Sequence, residues 1–297
     1  MYKSFRITNI ATVFIIISLL GCSSADDTKY VSSIDHWHQL RIDYLKGETG
    51  FLNLAGLYWL DQGTNNFGSS SINKLIFPAL ADSLMGSFLL KDSLVYLIPF
   101  SEIKIGGNVV LDTTLVFGAK DSPVMEYKSF RWFIIKRGTS IGVRLRDFNH
   151  PLLQNFDSID YYTTNPTYKV EATWQRYDEP KTVTFANVLN MAIDYPVYGA
   201  FRFLLEGKEI VLEPMGEPDT ELGYFVMFYD KTSGHATYGS GRYLYVNPPN
   251  KLGRTIIDFN KAFNPPCAFT EFATCLFPHK QNRLSIFVKA GEKFSGH

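Results

Sequence analysis

Apolar positions along this chain change their period once, and the change divides it. Ile34, Trp37, Leu40, Arg41, Tyr44 and Leu45 recur at steps of three and four, the spacing that lines one face of an α-helix. Ser32 or Ser33 offers a cap and Gly47 a stop, so a short amphipathic helix is predicted between them. From Phe51 onward the signal is β. "LYWL", "KLIF", "SFLL", "LVYLI" and "NVVL" are short apolar runs divided by turn residues, and "RWFIIKRGTSIGVRLR" reads as two strands around a tight turn. Periodicity lapses between His150 and Pro166, which marks a junction. Beyond it "YKVEATW", "TVTFANV", "FRFLLEGKEIVLEP", "YFVMFYD", "GRYLYV", "TIIDF" and "LSIFVK" supply at least seven more strands. Glu206-Gly207-Lys208-Glu209 is the clearest hairpin turn, with glycine available for positive φ. The expectation is an all-β, mainly antiparallel protein. It comprises two packed sandwich-like or barrel-like units, over residues 33–150 and 151–297, with a short N-terminal helix.

Ahead of the helix the pattern is that of a targeting segment. Lys3 and Arg6 precede an apolar run from Ala11 to Leu20, too short to span a bilayer as a permanent helix. Leu19-Leu20-Gly21-Cys22 resembles the lipobox of bacterial lipoproteins, in which the cysteine is lipidated and becomes the first residue, although Leu20 stands where a smaller residue is usual. This predicts a signal peptide over residues 1–21, a lipid on Cys22 and a polar tether over 22–32. The membrane is then a partner held through acyl chains rather than a spanning helix. Ser23 in place of an aspartate points to the outer membrane, at its periplasmic or its surface face.

Composition narrows the partners. Hydrophobic residues make up 45% and aromatics 15% of the 297 residues, enough for a filled core and too many for a disordered chain. Loss of Lys3 and Arg6 leaves 27 basic against 29 acidic side chains, a formal charge of −2. With no basic stripe, nucleic acid is not expected as a partner. With Cys22 lipidated, Cys267 and Cys275 remain as a pair, and outside the cytoplasm a disulfide is their default state.

Several motifs read more simply than they first look. His36 and His38 stand two apart on the helix and point away from each other, so they do not chelate one metal. Gly138-Thr139-Ser140-Ile141-Gly142 matches the pattern of a hydrolase nucleophile, but it sits in a hairpin turn rather than a strand-to-helix elbow. "HATYGSGRYL" lacks the Lys-Ser/Thr ending of a phosphate loop; Gly239 and Gly241 instead permit a close backbone approach. Arg242 beside them can clamp a carboxylate, and an internal salt bridge to Asp258 is expected ahead of a ligand. The densest stretch runs from Asp258 to Leu284. Asp258, Asn260 and Asn264 are Asx residues suited to holding an irregular loop, and Pro265 and Pro266 stiffen it. Cys267 and Cys275 close a short loop, for a nominal gain of about 2–3 kcal/mol if cross-linked. A metal site on Cys267, Cys275, His279 and His235 is the lesser alternative because the spacing lacks a C-x-x-C knuckle. Neither a metal nor a cofactor is expected.

The blocks "FLNLAGLYWLDQGTNNFGS", "DKTSGHATYGSGRYLYV" and "IDFNKAFNPPCAFTEFATCLFPHKQNRLSIFVKAGEK" together resemble the bacterial family known as domain of unknown function 1684, from about Trp37 to Lys293. The resemblance brings no activity, cofactor or substrate. It marks Gly239, Gly241, Arg242, Asp258, Asn260, Asn264, Pro265, Pro266, Cys267, Cys275, Asn282 and Arg283 as a shared core. "LDQGTNNFGSSSINKLIFP" is also similar to the opening of forkhead-associated sandwiches. Ser69 replaces the arginine that follows Phe67-Gly68 there, and phosphopeptide binding is not expected. Three functions are compatible with these residues. The first is a lipid-anchored envelope protein binding a small polar or anionic ligand through Arg242, Asp258, Asn260, Asn264 and Asn282. The second is a hydrolase or thiol-dependent enzyme using Asp258, His235 or Cys267. The third is a structural or interaction module in which the segment only closes the fold.

Overall fold

Alternating burial along the strands, one side chain in and the next out, builds a computed structural model that describes residues 25–118, 122–188 and 191–296. The predicted signal peptide and Cys22 lie outside the described residues. The first unit carries β1 (Leu54–Trp59), β2 (Gly63–Gly68), β3 (Leu75–Ile76), β4 (Gly86–Lys91), β5 (Leu94–Pro99) and β6 (Lys104–Ile105). They are followed by β7 (Asn108–Val109), β8 (Thr114–Phe117), β9 (Met125–Tyr127), β10 (Phe130–Arg137) and β11 (Ser140–Asp147). A six-stranded sheet in the order β1-β11-β10-β9-β6-β7 faces a five-stranded sheet in the order β3-β2-β4-β5-β8. Inward residues of both sheets, among them Phe67, Phe88, Trp132 and Val143, form one core, with the Phe67 and Phe88 rings stacked at 4.5 Å. Ser140 of the G-x-S-x-G pattern pairs with Arg137 across the β10–β11 turn, so no elbow presents it.

His150 caps a short helix, α2 (Pro151–Asn155), by accepting from the Leu152 amide; Pro151 at its first position suits a helix start. The second unit follows with β12 (Lys169–Ala186), β13 (Ala192–Leu205), β14 (Lys208–Leu212), β15 (Met215–Asp219), β16 (Gly223–Phe228), β17 (Arg242–Val246) and β18 (Arg254–Asp258). They form a sheet β14-β13-β12-β18 and a sheet β15-β16-β17, all pairs antiparallel. The β13–β14 turn is Glu206 (φ 53°) and Gly207 (φ 72°), the two-residue left-handed turn that follows strand twist. Phe201, Leu212, Val226, Phe228, Leu244 and Ile257 fill the core between the sheets.

Two expectations need correction. The helix, α1 (Ala25–Lys46), begins inside the predicted tether and passes through both predicted caps. Asp26 and Asp27 in its first turn favour that earlier start, and contacts made by Tyr30 hold it. It packs on the second unit: the Tyr30 hydroxyl donates to Asp258 at 2.8 Å and Arg41 to Glu292 at 3.0 Å. Second, "LSIFVK" is not a sheet strand. Leu284, Ile286 and Val288 are buried with the predicted period of two. The segment lies along Tyr229–Lys231 as a strap, tied by Leu284 N–H to Tyr229 and Lys231 N–H to Ile286.

Candidate ligand groove and the surrounding motif

Arg242 is fully buried and its guanidinium organises the strap. It donates to Asp230 at 2.7 Å, to the Val288 carbonyl at 2.8 Å and to the Ala290 carbonyl. The salt bridge expected from sequence exists, but with Asp230 instead of Asp258. Phe228 lies directly across from Arg242 in the β16–β17 ladder, which brings Asp230 two residues later within reach, whereas Asp258 ends the separate strand β18. Nε has no hydrogen-bond partner among the described residues, and the guanidinium lies 5.3 Å from the Phe228 ring centroid. Gly241 enters β17 at φ +86°; a Cβ there would meet the Phe228 carbonyl at 2.6 Å.

The asparagines act as peptide surrogates, each amide satisfying backbone that has no strand partner. Asn260 accepts from Asn165 N–H and donates to Asn165 C=O, both at 2.9 Å. Asn282 accepts from Glu213 N–H and donates to the carbonyls of Glu213 and Met227, all at 2.8 Å. Asn264 gives its backbone N–H to Glu292 at 2.6 Å and its side-chain amide to the Lys293 carbonyl at 2.9 Å. Burial holds the Glu292 carboxyl above the usual range, opposed by Arg41 and the Asn264 amide. Cys267 and Cys275 are joined by a disulfide with Cα atoms 6.1 Å apart. The two sulfurs that a metal or a thiol nucleophile would need are therefore bonded to each other. His235 lies exposed on the Thr232–Thr237 turn. His279 sits 3.7 Å from Glu213, with its pKa lowered by burial.

The five candidate residues thus do not converge on one cavity. Arg242, Asn260 and Asn282 are nearly or fully buried and direct their polar atoms at the fold. Asp258 and Asn264 line two different depressions.

The larger concavity runs between α1 and the β15–β17 sheet. One end, of about 400 Å³, is walled by Trp37, Tyr44, Phe225, Tyr243, Tyr245 and Phe263. The other end, of about 420 Å³, shares Trp37, Leu222, Tyr245 and Phe263 with it and adds Tyr30, Lys169, Asp258 and Lys261. Leu40 is 52%, Leu222 51%, Tyr44 47% and Tyr245 39% exposed, so the apolar wall is open to solvent. The Arg41 guanidinium, buried by its ion pair with Glu292, lies 4.6 Å from the Phe263 ring centroid. Tyr243 exchanges both backbone hydrogen bonds with Phe263 at 2.8 and 2.9 Å. Antiparallel alternation then turns the N–H and C=O of Tyr245 to the same side, beyond which the Phe263 segment has coiled into a 3₁₀ turn over Phe259–Lys261. At the polar end Lys169 Nζ rests 4.6 Å from the Tyr30 ring centroid.

Sequence reasoning missed this groove because its residues come from five separated segments and its aromatic members read locally as core. One signal was present: Trp37, Leu40 and Tyr44 form a bulky stripe on a helix whose buried anchors, Ile34, Arg41 and Leu45, lie beside it.

Residues 154–293 match the family model described as protein of unknown function (DUF1684). Curated proteins contribute no match. Among solved structures, the chain is similar to the uncharacterized protein from gene locus rrnAC0354 of Haloarcula marismortui, a solution NMR structure. The two are 30% identical with a TM-score of 0.40, over 47% of this chain and 78% of that one. The matched region spans the Asn260, Asn264 and Asn282 surrogates, the Arg242 clamp and the disulfide, and the chain belongs to the DUF1684 family of proteins of unknown function.

Proposed function

We propose that this is a lipid-anchored cell-envelope protein that binds a small amphipathic ligand in the groove between α1 and β15–β17. One observation carries the reading: a contiguous aromatic wall is left open to water in a concave site. Each exposed apolar Å² forgoes about 25 cal/mol of burial, and apolar concavities with a few polar groups are the usual form of ligand sites. The ligand's apolar part rests on Trp37, Tyr44, Tyr245 and Phe263, and its anionic or polar head reaches Lys169, Lys261 and the Tyr245 backbone edge. The anchor rests on the Lys3, Arg6 and Leu19-Leu20-Gly21-Cys22 pattern. No helix of the described residues is long and apolar enough to cross a membrane.

The test uses a soluble Cys22→Ser form and the fluorescent probe 1-anilinonaphthalene-8-sulfonate, an aromatic body with an anionic head. Saturable one-to-one binding, weakened in both Trp37→Ala and Lys261→Ala, is expected. Absence of binding, or affinity indifferent to both substitutions, overturns the groove as the site. Metabolic labelling with a radioactive fatty acid tests the anchor separately: label retained in wild type and lost in Cys22→Ser is expected.

A further inference from the structure

The polar end of the groove lies over a seam between two sheets. β17 ends the sheet β15-β16-β17 and β18 ends the sheet β14-β13-β12-β18, so these consecutive strands meet as edges and not as ladder partners. The seam is tied at two places. At its turn end the Thr255 hydroxyl donates to the Asn247 carbonyl at 2.8 Å, and at the other end Tyr243 takes Phe263 as its partner. Between the ties β17 presents the N–H and C=O of Tyr245. β18 presents a matching pair. Arg254 donates its N–H to Asn250 Oδ1 at 3.1 Å, and its C=O accepts from Asn250 N–H at 2.8 Å, so antiparallel alternation turns the N–H and C=O of Ile256 to that same edge. Among the described residues, no backbone or side-chain group bonds these four atoms of Tyr245 and Ile256 across the seam.

The space between the two edges is open. Tyr245 and Asn247 from one strand and Ile256 and Asp258 from the other line the same depression of about 420 Å³, and Tyr245 and Ile256 are 39% and 45% exposed. Strand edges left bare are normally covered or blunted. A seam with a donor and an acceptor on both sides matches an extended peptide, whose backbone offers the same groups along both of its edges. A fatty acid brings acceptors and no donor. The ties set the length: one position on each strand is unpaired, room for about two or three extended residues and not for a protein strand. Lys169 and Lys261 share the lining with Glu221 and Asp258, so the charges cancel and recognition falls to the backbone and the apolar wall.

We infer that the ligand of the groove is a short apolar peptide, held in extended form between β17 and β18 by backbone hydrogen bonds to Tyr245 and Ile256, with its side chains on Trp37, Leu222 and Phe263. This names the ligand class of the proposed function and rests on the groove being the ligand site.

The test displaces 1-anilinonaphthalene-8-sulfonate from the soluble Cys22→Ser protein with N-acetyl-valyl-phenylalanyl-valinamide, with its analogues carrying an ester in place of each internal amide in turn, and with decanoate. Saturable displacement by the tripeptide is expected. At least one ester analogue, which lacks an N–H but keeps the shape, is expected to bind about tenfold more weakly, the factor of one hydrogen bond. Amide hydrogen exchange reads the pairing directly: Tyr245 and Ile256 exchange fast in the free protein and are slowed at least tenfold at saturating tripeptide. Dye bound in a Trp37-dependent manner but not displaced by the tripeptide leaves the groove standing and overturns the peptide. Equal affinity of parent and all esters, decanoate displacing as tightly as the tripeptide, or unchanged exchange at both amides overturns it as well. Absence of dye binding removes the groove and the inference together.

Discussion

Replacing Arg242 separates a clamp from a ligand-binding group. Its three close acceptors are Asp230, Val288 C=O and Ala290 C=O, and hydrogen bonds to charged groups contribute about 1.5–3 kcal/mol each. Arg242→Met therefore removes up to roughly 5–9 kcal/mol from a total of about 5–15, leaving Asp230 buried and unpaired. Such a protein is at the edge of folding, so the measurable variants are Arg242→Lys and Asp230→Asn. Lysine keeps the charge but not the planar fork that serves a carboxylate and two carbonyls together. A loss of about 2–4 kcal/mol is expected for it. Urea unfolding followed by tryptophan fluorescence reads this as a lower midpoint at unchanged slope. The double variant then measures coupling between the two residues, expected above about 1 kcal/mol. A lysine variant within about 0.5 kcal/mol of wild type, or additive single effects, would refute the clamp and return Arg242 to the list of ligand groups.

Three further outcomes are expected. Intact mass without reductant will be lighter by the two hydrogens of the Cys267–Cys275 bond, and Cys267→Ser with Cys275→Ser will lower stability by about 2–3 kcal/mol in urea. Gly291→Ala, at φ +74° with a Cβ 2.4 Å from the Ala262 carbonyl, will destabilise by about 1–3 kcal/mol, seen as a fall in melting temperature. Burial depresses the pKa of His38 and of His279, so the unfolded chain takes up protons first. The stability each contributes is present above the unfolded value near 6.5 and is lost as pH falls through the folded one. His38→Phe, which keeps the stack 3.6 Å from Tyr161, will flatten part of that decline in denaturation midpoints measured across this range.

Strand content was legible because period two survives wherever one face is buried: fully buried Phe130, Trp132 and Ile134 alternate with half-buried Arg131 and Phe133 as a strand predicts. The strap defeats the same rule. Leu284, Ile286 and Val288 alternate correctly, but a neighbour that is a turn rather than a strand gives only isolated hydrogen bonds, and nothing local announces that. The motif was legible as a polar, irregular loop and illegible in its purpose, since whether an asparagine faces a ligand or a backbone is decided by segments far away. Asn282 meets Glu213 and Met227, and Arg242 meets Asp230 only because of the β16–β17 register. Tyr30 lies in the stretch assigned to a tether, so its bond to Asp258 could not be foreseen.

The seating of α1 makes the first unit an insertion: the helix and β12–β18 build one body, and β1–β11 are threaded between its parts. Tyr30 meets Asp258 across 228 residues and Arg41 meets Glu292 across 251. During vectorial synthesis at about 5–20 residues per second, the helix would wait roughly 12–50 s for its counterpart to emerge. The β1–β11 sandwich has all its partners in hand much earlier. Closure of such distant ends is entropically slow, so nascent α1, with its anchors Ile34, Arg41 and Leu45 uncovered, is the part of this chain most in need of a chaperone.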